Sequence, residues 1–126
     1  MSDIGKLILR LGMGSLMLTH GYPKLLRLFS GQEIKFSDPL GIGALPSLLL
    51  AIFAEVICTV AIMVGFKTRW ASIPVIITML TVFFIVHADD PFKRKELALA
   101  YAVAFIVIYF IGPGKYSVDQ KLSRFQ

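Results

Sequence analysis

Four long apolar blocks constrain this sequence more than any other feature. They cover about residues 4–29, 45–66, 70–88 and 97–112. A helix needs about 20 apolar residues to cross a bilayer core of about 30 Å, and each block reaches or approaches that length. A strand exposed to lipid would leave its backbone unpaired, so these blocks predict helices. We therefore predict an all-α integral membrane protein, a four-helix transmembrane bundle that forms one domain over residues 1–126.

Composition agrees with a membrane protein and excludes several other classes. Hydrophobic residues make up 56% of the chain and charged residues 17%, whereas soluble domains carry about 25% charged residues. A soluble enzyme and a disordered tail are therefore unexpected. The single cysteine excludes an intrachain disulfide framework and any multi-cysteine zinc or iron–sulfur site within this chain, and we assign no residue as a metal ligand. The net charge of +5 does not indicate nucleic acid, because basic loops of a membrane protein give the same excess.

The connections between the blocks are short and contain residues that end helices. In the loop 65–69, we expect Gly65 to stop one helix and Thr68 to cap the next. Four spans place both termini on the same side as this loop. That side has seven of the 13 Lys and Arg residues, Arg124 among them, and the other side has six, including Lys35. Because the charges of the short loop are all basic, we predict cytoplasmic termini.

Ionisable residues inside the blocks are candidates for function, because a charge at mid-bilayer costs about 2.5–3.5 kcal/mol. Arg10 lies about 9 Å inside the first helix at 1.5 Å per residue, and Glu55 lies near the middle of the second. An arginine side chain can span the remaining depth. We predict an Arg10–Glu55 ion pair, which serves either as a clasp between helices or as part of a functional site. A protonated Glu55 is the open alternative, since burial raises the pKa of a carboxyl group.

The most informative local stretch is His20-Gly21-Tyr22-Pro23-Lys24. Pro23 removes a helical hydrogen bond and predicts a kink. Carbonyl groups freed by a kink are tolerated in a membrane only against protein or water, so we expect His20 to line a cavity. His87 ends the third block in the same half of the membrane, and Lys24 lies on that side too.

This polar cluster has several interpretations. The simplest is a pair of interfacial histidines whose hydrogen bonds are satisfied. A pocket for a quinone or another small redox ligand is the second, because His20 and Lys24 can donate to a carbonyl oxygen and Glu55 can transfer protons. Bis-histidine haem ligation would need His20 and His87 at one depth, and metal binding is the remaining alternative.

Other residues in the blocks have a structural interpretation. Gly14 and Gly21 share the Arg10 face of the first helix, where small residues let another helix approach closely. Cys58 is expected to be an inert buried thiol. Tyr101 lies one turn inside the fourth block and can turn its hydroxyl inward.

The whole pattern resembles the DoxX family. The matching pieces occur in order between about residues 4 and 120: Leu7-Ile8-Leu9-Arg10-Leu11-Gly12-Met13-Gly14, His20-Gly21-Tyr22-Pro23-Lys24, Glu55, Gly65-Phe66-Lys67-Thr68-Arg69, His87 and Gly112-Pro113-Gly114-Lys115-Tyr116-Ser117-Val118-Asp119. The resemblance implies a small multi-pass protein of four helices in the inner (plasma) membrane of a bacterium or archaeon. It also implies a set of recurring polar residues, which here are Arg10, His20, Lys24, Glu55 and His87.

The resemblance implies a membrane subunit of a redox system. The family is named after a subunit associated with a quinone-linked sulfur-oxidising enzyme, and other members are tied to oxidative-stress complexes. The implied ligand-binding residues are Arg10, His20, Lys24, Glu55 and His87, with Glu55 and His20 as the catalytic candidates. Arg10 would orient Glu55, and Glu55 would carry or stabilise a proton. Quinone is the implied cofactor, and the lipid bilayer and other protein subunits are the implied partners.

Two alternatives to a self-sufficient redox enzyme follow. Nothing in the chain supplies a further redox centre, which favours an accessory subunit of a quinone-linked oxidoreductase. From another class, a membrane scaffold or assembly factor would bind other proteins and use its polar groups only to stabilise the bundle. Solute transport is a third interpretation with less support, because the sequence shows no inverted repeat.

Overall fold

A computed structural model describes residues 2–31, 36 and 38–123, and all regular structure in these ranges is helical. The helices are α1 (Asp3–Leu28), α2 (Ala44–Val64), α3 (Thr68–Val86), α4 (Phe92–Ile111) and the short α5 (Val118–Ser123). Lys35 and Arg124, which entered the charge count, lie outside the described residues. The predicted helical class is confirmed for the described part of the chain.

The helix bounds follow the apolar blocks, with one larger difference in α4. This helix begins at Phe92 rather than near residue 97, directly after Pro91. The charged residues 93–96, expected largely in a turn, form its first turn instead. Lys, Arg and Glu are good helix formers, so hydropathy alone places the start of such a helix too late.

Two of the helices are long and apolar enough to cross a membrane. They are α2, with 21 residues and a mean hydropathy of 2.5, and α3, with 19 residues and a mean hydropathy of 1.9. α1 has 26 residues but contains Lys6, Arg10 and Lys24. α4 has 20 residues and begins with the charged residues 93–96. Four spans therefore stay a prediction.

The four long helices pack side by side in a closed ring. α1 packs on α2 and α4, and α3 packs on the same two neighbours. Large apolar side chains that are 0% exposed fill the space between them: Met17, Ile62, Val75, Phe105 and Ile108. The core therefore takes residues from all four helices.

Glycines set the close approach of α1 to α2. A Cβ atom on Gly21 would lie 2.8 Å from the carbonyl oxygen of Glu55, and a Cβ atom on Gly14 would overlap the side chain of Met63. Glycine has no side chain, so it lets the backbones of two helices approach closely. The prediction that Gly14 and Gly21 serve helix packing is confirmed.

Two short π-helical segments interrupt the long helices. They are Phe53–Cys58 in α2 and Val82–Val86 in α3. In the second, the N–H of His87 donates to the carbonyl of Val82, five residues back (2.9 Å). Such wide turns are rare and often lie at functional sites. The first contains Glu55 and the second ends just before His87, so both alter a helix at a candidate residue.

The turn between α2 and α3 confirms one prediction and corrects another. Gly65 ends α2 in the left-handed conformation (φ 78°), as the sequence predicted. Lys67, not Thr68, occupies the cap position of α3. The carboxylate of Asp119 accepts hydrogen bonds from the N–H groups of Lys67 (2.6 Å) and Thr68 (3.0 Å). The Thr68 prediction was wrong because a local pattern cannot show a capping group that is distant in the chain.

The start of α2 is capped from the connection that precedes it. The carboxylate of Asp38 accepts hydrogen bonds from the N–H groups of Ile42 (2.9 Å) and Gly43 (2.9 Å) and from the hydroxyl of Ser47 (3.0 Å). The bond from the Gly43 N–H, with those from Ser47 and Ile42, lowers the pKa of Asp38 below its ordinary value of 3.8. Folding therefore favours the ionised carboxylate.

The contribution of Asp38 to stability should depend on pH. Because its pKa is lowered by folding, the contribution is complete above the unfolded-state pKa and is lost as pH falls through the folded-state pKa. We expect Asp38→Ala to lower the melting temperature at neutral pH, and its difference from the wild type to shrink towards about pH 3. Circular dichroism melts in detergent measure both. A difference that stays constant with pH contradicts the prediction.

Substitution of Gly65 should destabilise the protein strongly. A Cβ atom there would lie 2.8 Å from Nη1 of Arg10 and 2.9 Å from Cα of Ser117. Left-handed strain and overpacking together predict a loss of about 2–4 kcal/mol for Gly65→Ala. Gly12 is the control, because nothing lies within 4 Å of its Cβ position, so Gly12→Ala should be neutral or stabilising by up to about 1 kcal/mol. Denaturant titration that finds the two variants equally stable contradicts this account.

Candidate ligand cavity

A cavity of about 640 Å³ lies between the halves of the four long helices that are remote from the termini. We call this half of the molecule the cavity end, and the half that holds the start of α1 and α5 the terminal end. The polar side chains on the cavity wall include His20, Lys24, Glu55 and His87. The structure thus brings together four of the five site residues predicted from the sequence, and it places Arg10 elsewhere.

One face of each of three helices forms most of the wall. These faces are Ser47, Leu50, Ala51 and Ala54 in α2, Pro74, Ile77, Thr78 and Thr81 in α3, and Arg94, Leu97, Ala98 and Tyr101 in α4. Each set has the spacing i, i+3, i+4, i+7, which aligns side chains along one side of a helix. Most of these side chains are apolar, so the polar groups lie within a largely hydrophobic wall.

Glu55 pairs with Lys24 across α1 and α2. Glu55 is only 1% exposed, and Nζ of Lys24 lies 2.6 Å from its Oε1 atom and also contacts Oε2. The predicted Arg10–Glu55 pair is therefore wrong. The reason is the register of the two helices: Gly21 lies against Glu55, so Lys24 is less than one turn away. Arg10 is 11 residues before Gly21, which is about 16 Å along the helix.

Arg10 instead caps the terminal end of α2. Its side chain is 1% exposed, and its guanidinium donates to the carbonyl oxygens of Ile62 (3.1 Å), Met63 (2.9 Å) and Tyr116. The last carbonyls of a helix have no partner within the helix, and a basic side chain can satisfy them. The charge of Arg10 thus serves the backbone, and Arg10 makes no contact with Glu55.

The two histidines reach the cavity from opposite directions and have different neighbours. The ring of His20 packs edge-on against Tyr101 of α4, with centroids 5.4 Å apart and planes at 82°. His87, just after α3, has its Nδ1 atom 2.6 Å from Oδ2 of Asp90. That bond orients the imidazole and leaves Nε2 as the atom for other contacts.

Sequence reasoning did not place several polar residues on the cavity wall, Arg94 and Tyr101 among them. Arg94 was assigned to a turn, and Tyr101 was expected to turn inward without a partner being named. The spacing of Arg94, Leu97, Ala98 and Tyr101 is the signal that places both on one helical face. It became visible only once the start of α4 was known.

The arrangement suits a hydrophobic molecule with a hydrogen-bond acceptor at one end. The ammonium group of Lys24 has three N–H donors, and the two oxygens of Glu55 take two of them. His20 and Tyr101 add further donors at the same end of the cavity. Glu55 supplies a carboxylate at this end of the cavity wall.

A comparison with protein families assigns the chain. The DoxX family model matches residues 5–88 of the 126 residues, which is more than half of the chain. The chain belongs to the DoxX family. The matched range contains α2, α3 and α1 from residue 5 onward, and with them His20, Lys24, Glu55 and His87. The family predicted from the sequence is thus confirmed.

Relatives of this DoxX protein extend over almost its whole length. It is 27% identical over 128 residues to the inner membrane protein YqjF of Escherichia coli (strain K12), covering 98% of this chain and 96% of that one. It is 29% identical over 125 residues to an uncharacterised protein of Haemophilus influenzae, covering 92% and 89%. No solved structure matches the chain significantly. The family and the E. coli relative support a membrane protein, with a location in a prokaryotic inner membrane.

Removing one partner of the Lys24–Glu55 pair should cost more than removing both. Lys24→Met leaves the Glu55 carboxylate buried and unpaired, for which we expect a loss of about 3 kcal/mol in unfolding free energy. The double variant Lys24→Met/Glu55→Leu should recover most of that loss. Lys93→Met, at an exposed lysine of α4, is the control and should change stability by less than about 0.5 kcal/mol. A double variant no more stable than the single one contradicts the pair's role.

Proposed function

We propose that this protein is a multi-pass protein of the prokaryotic inner membrane that binds a quinone in the cavity and serves as the membrane subunit of a redox system. One observation carries the proposal: His20, Lys24, Glu55 and His87 come from three parts of the chain and line a single cavity with mostly apolar walls. Polar groups at membrane depth are costly, and the convergence of these four on one cavity favours a shared function.

Large apolar side chains exposed on all four long helices support four membrane spans. Ile8, Ile57, Phe84 and Phe110 are 64%, 58%, 64% and 72% exposed on α1, α2, α3 and α4, respectively. Soluble proteins rarely expose contiguous apolar surface of this kind, whereas lipid would cover it. Such a surface on every helix is what a bundle surrounded by acyl chains requires.

The charges of α1 are compatible with a membrane span. Arg10 bonds to backbone carbonyls inside the protein, and Lys24 bonds to Glu55. Neither charge therefore needs to meet the acyl chains. The basic residues Lys67 and Arg69 of the terminal end favour cytoplasmic termini, because cytoplasmic loops carry an excess of Lys and Arg.

A quinone fits the donors and the volume of the cavity. When bound, it supplies two-electron chemistry at its carbonyl oxygens. In the proposed arrangement, His20, Lys24 and Tyr101 would hold the carbonyl end of the quinone by donating hydrogen bonds, and Glu55 would carry or stabilise a proton there. Lys24 orients the Glu55 carboxylate, the role that the sequence had given to Arg10.

The redox role that we propose needs a second protein. Reduction of a quinone to a quinol consumes two electrons and two protons, and the residues of this cavity can hold protons. The electrons would come from a partner subunit of the oxidoreductase. We therefore propose an accessory subunit rather than a self-sufficient enzyme.

One observation favours a second candidate, a membrane scaffold or assembly factor. Lys24 bonds to Glu55 and His87 bonds to Asp90, so these polar groups satisfy one another within the chain. In that function the pairs only stabilise the bundle, and its exposed apolar surface binds other membrane proteins.

Native extraction followed by analysis of bound lipid-soluble molecules tests the proposal. We expect a quinone to co-purify with the wild type and to fall by about tenfold or more in His20→Ala and Glu55→Gln, because each loses a polar contact at the head group. Tyr22→Ala is the control: Tyr22 is an exposed aromatic residue of α1 that does not line the cavity, so quinone should stay bound.

Thermal melts of the same variants separate lost binding from lost folding. A wild-type preparation without quinone that carries a stoichiometric protein partner would reject the pocket and favour the scaffold. A Soret band in the preparation would instead indicate haem.

A further inference from the structure

The two halves of α2 have different neighbours. Both halves pack on α1, but only the half from Phe53 to Val64 also packs extensively on α3. The change occurs at the start of the π-helical segment Phe53–Cys58. At the cavity end, therefore, the first half of α2 stands apart from α3. We call the opening between them the α2–α3 gap.

The residues beside the α2–α3 gap are apolar and belong both to the cavity wall and to the outer surface. Leu50 and Phe53 of α2 are 52% and 46% exposed, and Ile77 of α3 is 58% exposed. All three also line the cavity. The gap is thus a hydrophobic passage from the side of the molecule to its polar interior.

The position of the gap determines what surrounds it. α2 and α3 are the two helices whose length and hydropathy suit a membrane span, so an opening between them faces acyl chains. The end of the cavity nearest the helix ends carries polar groups instead, namely His87 and Arg94. A hydrophobic molecule therefore meets a lower barrier at the side of the cavity than at its end.

We infer that the ligand enters the cavity sideways from the bilayer through the α2–α3 gap, and that it is a membrane-dissolved amphiphile with a long apolar chain. The polar head lies at His20, Lys24 and Tyr101, and the chain lies in the gap against Leu50 and Ile77. The identity of the head group rests on the proposed quinone function. The route rests on the separation of the two helices alone.

Thiol labelling of the cavity wall tests the route without a ligand. The protein is placed in lipid nanodiscs with Cys58→Ala, which removes its one cysteine, and with Ala98→Cys, which puts a thiol on the wall opposite the gap. Ala102→Cys is the matched control, one turn further along α4, 1% exposed and not on the wall. The probes are a maleimide with a long alkyl chain and a sulfonated maleimide that stays in water.

We expect the alkyl maleimide to label Ala98→Cys at least about tenfold faster than it labels Ala102→Cys. We also expect the alkyl maleimide to label Ala98→Cys faster than the sulfonated maleimide does. Adding Ile77→Trp, which fills the gap, should slow the alkyl reagent by about tenfold. Adding Ile57→Trp, at an exposed residue of α2 away from the cavity, should not. Where Ala98→Cys does not fold, Ala51→Cys on the α2 wall replaces it.

Faster labelling by the sulfonated reagent, or equal rates with Ile77→Trp and Ile57→Trp, would overturn the inferred route. Excess long-chain quinone then distinguishes the route from the ligand. Slower labelling of Ala98→Cys in the presence of the quinone supports both the inferred route and quinone as the ligand. Gap-dependent labelling that quinone does not slow supports the route and rejects quinone as the ligand.

Discussion

The structure depends on one constraint: a polar group buried between packed helices must find its partner within the protein. The close contact of Gly21 with the backbone of Glu55 fixes the register of α1 on α2. That register brings Lys24, and not Arg10, to the Glu55 carboxylate. Because Lys24 and Glu55 satisfy each other at the contact between α1 and α2, the rest of the cavity wall can stay mostly apolar. A bulkier residue at position 21 would separate the helices and the pair together.

The two ends of the molecule are built differently. At the terminal end, hydrogen bonds tie distant segments to one another: Arg10 reaches Tyr116, Asp119 caps α3, and Asp3 accepts from the N–H of Lys115 (3.2 Å). At the cavity end, α2 turns away from α3 and its start is held by Asp38. A terminal end tied by hydrogen bonds and a more open cavity end are compatible with the proposed entry of a ligand between α2 and α3.

The sequence predicted the class of this fold well and its tertiary pairs less well. Hydropathy and the residues that end helices located the four long helices to within about five residues, and Gly65 ended α2 as expected. The ion pair of Glu55 was assigned to the wrong cation, because depth along a helix does not fix the register between helices. The cap that Asp119 provides for α3 and the π-helical segments have no recognisable local sequence pattern, so they were not predicted. The cavity was predicted from Pro23 and His20. Which other residues form its wall depends on how the helices are rotated relative to one another, and the sequence does not show this.

The bond between Arg10 and Tyr116 has a consequence for biogenesis. Its two residues are 106 positions apart, so the first helix is made long before its last acceptor leaves the ribosome. Ile62 and Met63 can receive the guanidinium earlier, once α2 has been inserted beside α1. Chains emerge from the amino end, and the Tyr116 contact can close only after translation has passed all four long helices. This bond therefore forms only after α4 has been made, and a nascent chain released before Tyr116 would lack one acceptor of the Arg10 guanidinium.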